Sequence, residues 1–270
     1  MDIQRLADRQ LRDYDNHSPG SAFAQPDVRL TTSQAYQLQF AVAERRQARG
    51  EKLAGYKIGC VSRTMQKQLG LTHPVFGHVW ASELHRSGAT LDPAQFDHLA
   101  VEGEFAVRLA ADIPSRTWLE QNPDVFESLC VVIELHHYVF RAPSECRAGE
   151  LIGNNAIHAG VVLPDREVAI SRLAQLANAD LCVWRNGTVI GETAGAANPS
   201  ALVDPIGSLI EHLAANGQTL RAGQLVLTGS PLPLWPIEAT DKVVVESSSL
   251  AARAELCVSA SSGPVPESQS

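Results

Sequence analysis

From Leu53 to Val258 the apolar side chains fall mainly on alternate positions, in short runs broken by Gly, Pro, Asn and Asp, and this constrains the chain more than any other feature. Side chains two apart on an extended backbone share a face, so each run is suited to bury one side of a sheet. AGYKIGCV opens the series, Val101 to Leu109, Leu129 to His136 and Leu181 to Gly191 are its clearest members, and QLVLTG, DKVVVES and RAELCVS close it. Inside the Leu181 run, Asn186-Gly187 is the pair that takes positive φ readily, which predicts a two-residue hairpin.

Helical spacing is confined to a few places. Ile3, Leu6, Ala7 and Leu11 form one apolar stripe before the break at SPGSAFAQP. Thr31 and Gln34 are spaced as a capping box for a second helix, with Ala35, Leu38 and Val42 on its face and Gly50 as its stop. A third helix is expected to start at Pro205 with Asp204 as N-cap, to bury Ile206, Leu209, Ile210 and Leu213, and to end at Asn216-Gly217. Many strands, few helices and no regular strand–helix alternation predict an α+β protein. It divides into a helical N-terminal section (1–52), a β-rich body (53–258) and a tail (259–270) too poor in apolar residues to order itself.

Charge and composition remove several classes of function. Lys plus Arg is 22 against 30 for Asp plus Glu, a formal charge of −8, so nucleic acid is not expected as a partner. No apolar run reaches the roughly 18 residues needed to span a bilayer. The opening MDIQRLADRQLRDYDNH has no apolar signal core, which predicts a cytoplasmic location without membrane attachment. Cys60, Cys130, Cys146, Cys182 and Cys257 are odd in number and scattered, unlike a disulfide framework or a zinc site.

The chemistry sits inside the strands. In AVEGEFAVRL, Glu102 and Glu104 share one face while Val101, Phe105 and Val107 take the other. A solvated strand face explains such a pair equally well, but Glu134 lies in the apolar CVVIELHHYVF, where an isolated carboxylate is costly to bury. Three such acids can offer oxygen ligands to one hard divalent ion, Mg²⁺ or Mn²⁺. Lys57 stands between Gly55 and Gly59, either as an edge-strand charge or as a cation with room for an anionic substrate beside it. Thr228, Gly229 and Ser230 follow an apolar strand and read either as a capped turn or as donors to a carboxylate.

Taken in order, GYKIGCVSRTMQKQLGL, HPVFGHVW, VEGEFAVRL, VIELHH, ELIGNNAIHAG, NGTVIGETAGAA and AGQLVLTGS resemble the 2-keto-4-pentenoate hydratase group of the fumarylacetoacetate hydrolase superfamily, over about Leu30 to Val258. The resemblance implies a twisted mixed β-roll, Glu102, Glu104 and Glu134 as metal ligands, Lys57 as the active-site lysine and Thr228 near the substrate carboxylate. It also implies a small 2-oxo or 2-enol acid substrate, reaction through a metal-stabilised enolate, and a homodimer or assembly of dimers. Two positions depart from it: Val75 stands where hydratases of the group carry an aspartate, and Ile157 where they carry a serine. Neither side chain can donate, accept or orient a proton.

Five histidines, His73, His78, His136, His137 and His158, fall within the matched segments, and His136 or His158 is the candidate to supply acid/base or supporting work in place of the lost groups. The expected activity is therefore hydratase-like. A decarboxylase or C–C hydrolase on the same scaffold is the first alternative, and a catalytically silent binder of metal and 2-oxo acid is the second.

Overall fold

A computed structural model describes residues 2–170, 179–194 and 199–260; the expected tail beyond residue 260 lies outside the described residues. Two helices come first, α1 (Ile3–Asp15) and α2 (Thr32–Ala48), then strand β1 (Leu53–Gly59), helix α3 (Arg63–Gln68) and strands β2 (Val75–Trp80), β3 (Leu84–Arg86), β4 (Ala89–Leu91) and β5 (Leu99–Leu109). Helix α4 (Arg116–Gln121) leads to β6 (Phe126–His137), α5 (Arg147–Gly153), β7 (His158–Leu163) and β8 (Val168–Ala169). The hairpin β9 (Leu181–Arg185) and β10 (Thr188–Thr193) precedes α6 (Pro199–Ala215), β11 (Leu225–Leu227), β12 (Trp235–Pro236), β13 (Lys242–Ser247) and β14 (Ala252–Val258).

Among the described residues the strands form two mixed sheets. The larger runs β2-β1-β11-β5-β6-β7-β3, with β12 added to β5 and β8 to β6; the smaller runs β10-β9-β13-β14-β4. Pairings β1 with β11, β3 with β7 and β4 with β14 are parallel, whereas β5 with β6 is antiparallel. The period of two then sorts the core. Val101, Phe105 and Val107 of β5, with Val131, Ile133 and Leu135 of β6, face the smaller sheet and join Val183 and Val245 in the main core. Their neighbours on the other face, Ala106, Cys130 and Val132, meet Val79, Val161, Leu225 and Leu227 in a separate apolar cluster, and this second face carries the acids.

The helical section is stitched to that sheet. Thr31 caps α2 with both halves of the capping box, as its spacing predicts. Buried Gln39 of α2 donates to Phe76 O and Ile152 O, each at 2.8 Å, and so ties α2 to β2 and α5 together. The Asn186-Gly187 turn has φ of 52° and 79°, the predicted hairpin geometry.

One expectation is corrected. Among the described residues the third helix already runs from Pro199, so Pro205 lies inside α6 and is not its start. Pro205, inside the helix, forgoes one backbone hydrogen bond. Ile206, Leu209, Ile210 and Leu213 are buried as expected.

Candidate active site

β5 and β6 pair in a register that sets Glu102 opposite Glu134. Ligating atoms of Glu102, Glu134 and His136 all fall within 4.8 Å of one another. Glu104 is two residues further along the same face, wholly buried, with both carboxylate oxygens lacking any hydrogen-bond partner. From β1, Lys57 Nζ reaches Glu134 Oε1 at 3.2 Å. His158 opens β7 and stands opposite His136 across a register shift; its Nδ1 lies 2.7 Å from the same Glu134 oxygen. Lys57, the three acids, His136 and His158 are thus brought into one cluster, in which the Glu102 side chain, 23% accessible, is the open edge.

The glycines beside Lys57 serve the protein itself. An added Cβ at Gly55 would stand 1.8 Å from Leu225 O, so that glycine permits β11 to approach β1. A Cβ at Gly59 would be 3.2 Å from Lys57 Nζ and 3.3 Å from Val75 Cγ2, so the space there is occupied by the ammonium group, with Val75 as its apolar wall. Gly77, opposite Lys57 in β2, leaves room for Lys57 Cγ in the same way.

The loop before His158 is strained. Asn155, Ala156 and Ile157 have φ of 51°, 52° and 56°. Asn tolerates this region, but for Ala and a β-branched Ile it costs about 1–2 kcal/mol each. The Asn155 side chain holds the turn against β2 by accepting from His78 N at 2.7 Å and donating to His78 O at 2.8 Å. This delivers His158 to Glu134, and strain held by surrounding bonds is characteristic of functional sites.

Opposing charges decide the protonation of the cluster. Burial, reinforced by the charges of Glu134 and Glu102, pushes Glu104 well above the usual carboxylate value. Burial alone would raise Glu134 too, but Lys57, His136 and His158 outweigh it and hold that carboxyl well below the usual range. For Lys57, burial is outweighed by Glu134, Glu102 and Glu104, so its ammonium keeps its proton more firmly than an ordinary lysine. The pattern is one of excess buried acid: orphaned Glu104 oxygens, orphaned His136 ring nitrogens and a hard oxygen-rich donor set suit a divalent cation.

Other predicted residues lie apart. Thr228 donates its hydroxyl to Phe105 O at 2.9 Å, and Ser230 donates to Gly103 O at 2.9 Å, so both hydroxyls fasten the turn to β5. Gly229 has φ of 95°, and a Cβ there would meet Val61 at 2.6 Å. His73 is exposed. His78 packs among Phe40, Tyr56 and Trp80, where burial and the nearby His212 pull its pKa down to about 3. His137 accepts from Asp97 N on the opposite face of β6 and is pulled down to about 4, chiefly by burial.

Two residues escaped sequence reasoning. Glu83, in the unmarked segment ASELHR, places Oε2 3.7 Å from His158 Nε2, and Arg46 of α2 donates to Glu83 Oε1 at 2.7 Å. Beyond them opens a cavity of about 200 Å³ whose lining includes Tyr14, Arg46, Glu83, His137 and His158.

Comparison with known proteins agrees with this architecture. The chain is 28% identical over 207 residues to 2-keto-4-pentenoate hydratase of Burkholderia vietnamiensis, covering 76% of this chain and 78% of that protein. It is 24% identical over 247 residues to 4-oxalocrotonate decarboxylase of Pseudomonas putida, covering 90% of each. In three dimensions it is similar to 4-oxalocrotonate decarboxylase from Pseudomonas putida G7 complexed with magnesium and adipate, with a TM-score of 0.79, 21% identity and coverage of 95% and 97%. Residues 51–256 match the family model for the fumarylacetoacetate (FAA) hydrolase C-terminal region, and the chain belongs to the fumarylacetoacetate hydrolase family.

Proposed function

We propose that the chain is a divalent-metal-dependent, hydratase-like lyase acting on a small 2-oxo or 2-hydroxydienoic acid. The observation that carries this reading is the convergence of Lys57, Glu102, Glu134 and His136, with buried Glu104, whose oxygens lack a hydrogen-bond partner, two residues along the same strand face. Glu102, Glu104 and Glu134, with His136 beside them, would hold Mg²⁺ or Mn²⁺, and such an ion when bound polarises the carboxylate and 2-oxygen of the acid. Lys57, fixed against Glu134 and walled by Val75, keeps a positive charge beside the developing negative charge and offers N–H donors to it. His136 and His158 flank Glu134 from neighbouring strands and are the groups of ordinary proton-transfer chemistry nearest the acids. The 228–230 turn is assigned to the substrate carboxylate through the main-chain N–H groups of Gly229 and Ser230, since the Thr228 N–H and both hydroxyl protons are spent on β5. Residues 1–52 are assigned as a helical layer on the catalytic body 53–258, and the working unit as a homodimer or assembly of dimers.

A second reading, decarboxylation of a 2-oxo acid, is favoured by one observation. Val75 is buried where it shares the space at Gly59 with the Lys57 ammonium, and a valine there cannot orient an attacking water. One experiment separates the readings. Purified protein with Mg²⁺ or Mn²⁺ is given a 2-hydroxydienoic acid and, separately, an unsaturated 2-oxo diacid, while ultraviolet absorbance and released CO₂ are followed. Loss of diene absorbance without CO₂ supports hydration, CO₂ release supports decarboxylation, and metal-independent turnover or none with either class refutes both.

A further inference from the structure

Arg46 lies outside the family-matched residues, yet it begins a line of buried contacts that ends on the central acid of the site. Its guanidinium is set over the Trp80 ring at 4.5 Å, bonds Glu51 through Nε at 2.8 Å, and donates through Nη1 to Glu83 Oε1 at 2.7 Å. Glu83 is held at its other oxygen, which accepts from Trp80 N at 3.2 Å. That oxygen faces His158 Nε2 at 3.7 Å, an electrostatic contact longer than a hydrogen bond. The opposite edge of the same ring makes the 2.7 Å contact to Glu134 Oε1. His158 is fully enclosed, and Nε2 has no hydrogen-bond partner, so among the described residues Glu83 is the carboxylate that faces its outer edge.

We infer that Glu83, locked by Arg46, is a positioning residue: it orients the His158 ring, and through it the Glu134 carboxylate, so that the N-terminal helical section tunes the affinity of the site for a divalent ion. An imidazole bonded to one carboxylate and facing a second, anchored one at its other edge is favoured in one ring orientation. A metal-binding carboxylate depends in turn on the group that holds its second lone pair. Release of the outer clamp leaves the ring free to rotate about its side-chain torsions, and Glu134 then loses a fixed partner. The inference rests on the reading of Glu102, Glu104 and Glu134 as the metal site.

The test is Mn²⁺ binding to the full chain, read as free Mn²⁺ by electron paramagnetic resonance and therefore independent of turnover. Glu83→Gln removes the charge and keeps a single acceptor oxygen, which serves either Arg46 or Trp80 N–H. It is expected to weaken Mn²⁺ binding about threefold to tenfold, less than the tenfold to hundredfold typical of a group bonded directly to a ligand. In a His158→Gln background the same change is expected to have no further effect, because the intermediary is gone. Arg46→Lys, which keeps charge but loses the two-sided grip, is expected to give a smaller loss in the same direction, and it carries the test if Glu83→Gln melts below the assay temperature. Unchanged affinity in these variants, or an equal loss with His158 already replaced, would overturn the inference while leaving the metal site intact. Absence of saturable Mn²⁺ binding by the wild-type chain would instead overturn the site reading, and this inference with it.

Discussion

Replacing Lys57 by methionine tests whether the ammonium group holds the acid cluster together. Its Nζ is 3.2 Å from Glu134 Oε1 in a site where both side chains are almost fully enclosed. At an effective dielectric constant near 20, that separation corresponds to about 5 kcal/mol of attraction. Removing one partner of a buried pair costs about 3–5 kcal/mol, because the remaining charge is left unpaired. With about 2.1 cal/mol/K of unfolding entropy per residue over 270 residues, the melting temperature of the metal-free protein is expected to fall by about 5–9 °C.

The sign of the pH dependence is fixed. Glu134 has a folded-state pKa depressed below its unfolded value, so its contribution is complete above about pH 4.3 and is lost as pH falls toward the folded value. In wild type that loss amounts to about 1 kcal/mol by pH 3.5, whereas in Lys57→Met only His136 and His158 still lower Glu134, so less is lost and the gap between the two narrows. Lys57 itself is raised, so its share persists below its unfolded value near 10.4 and fades only as pH rises through the folded one. Thermal melts at pH 7.5 and urea unfolding at pH 7.5 and 3.5, both with EDTA, measure the loss and the narrowing gap. A loss under 1 kcal/mol at pH 7.5, or an undiminished gap at pH 3.5, would refute the reasoning.

Glu104→Gln is expected to stabilise the metal-free chain by about 1–3 kcal/mol at pH 7.5, since it removes a buried acid whose ionisation is opposed by burial and by Glu134 and Glu102. Because the Glu104 pKa is raised, the gain should vanish below the unfolded carboxylate value near pH 4.3, while Mn²⁺ affinity falls at least about tenfold; urea melts and calorimetry check the two halves. Gly77→Ala would put a methyl 2.8 Å from Asn155 O and 3.1 Å from Lys57 Cγ, and displacement of the lysine is expected to lower kcat about tenfold to a hundredfold. Steady-state kinetics retained within about twofold would show that Lys57 does not need this fit. Val75→Asp sets a carboxylate beside the Lys57 ammonium and is expected to raise the share of hydrated product over CO₂ about tenfold, read by product NMR. An unchanged partition would remove Val75 from any part in choosing the reaction.

Much of the fold was legible because strand faces follow from local alternation. Val101, Phe105 and Val107 parted from Glu102 and Glu104 as a period of two requires, and the Thr31 capping box and Asn186-Gly187 turn depend only on neighbours in the chain. The start of the third helix was misplaced because Pro205 satisfies the local rule for a first helical residue, and the rule does not see that the helix already runs through the residues before it. The role of the glycines was inverted for a similar reason. Room beside Lys57 is visible in GYKIG, but what fills it, β11 at Gly55 and the ammonium itself at Gly59, belongs to residues distant in sequence.

Among nine histidines, local pattern gave no ground for separating His136 and His158 from His78 and His137 beyond parity with Glu134. Parity places His136 on the acid face and His137 on the other. It says nothing of His158, which reaches Glu134 through a register shift and three residues of left-handed backbone. The amino-acid order by itself determined which side chains share a face, where turns can form and that several carboxylates would be buried in apolar strands. Only the tertiary structure decided that Glu102 pairs with Glu134, that Lys57 and His158 converge on one oxygen, and that Arg46 of the helical layer reaches the site through Glu83. The physical reason is range: side-chain alternation is set by adjacent peptide units, whereas register, crossover and burial depend on contacts between residues tens to more than a hundred positions apart.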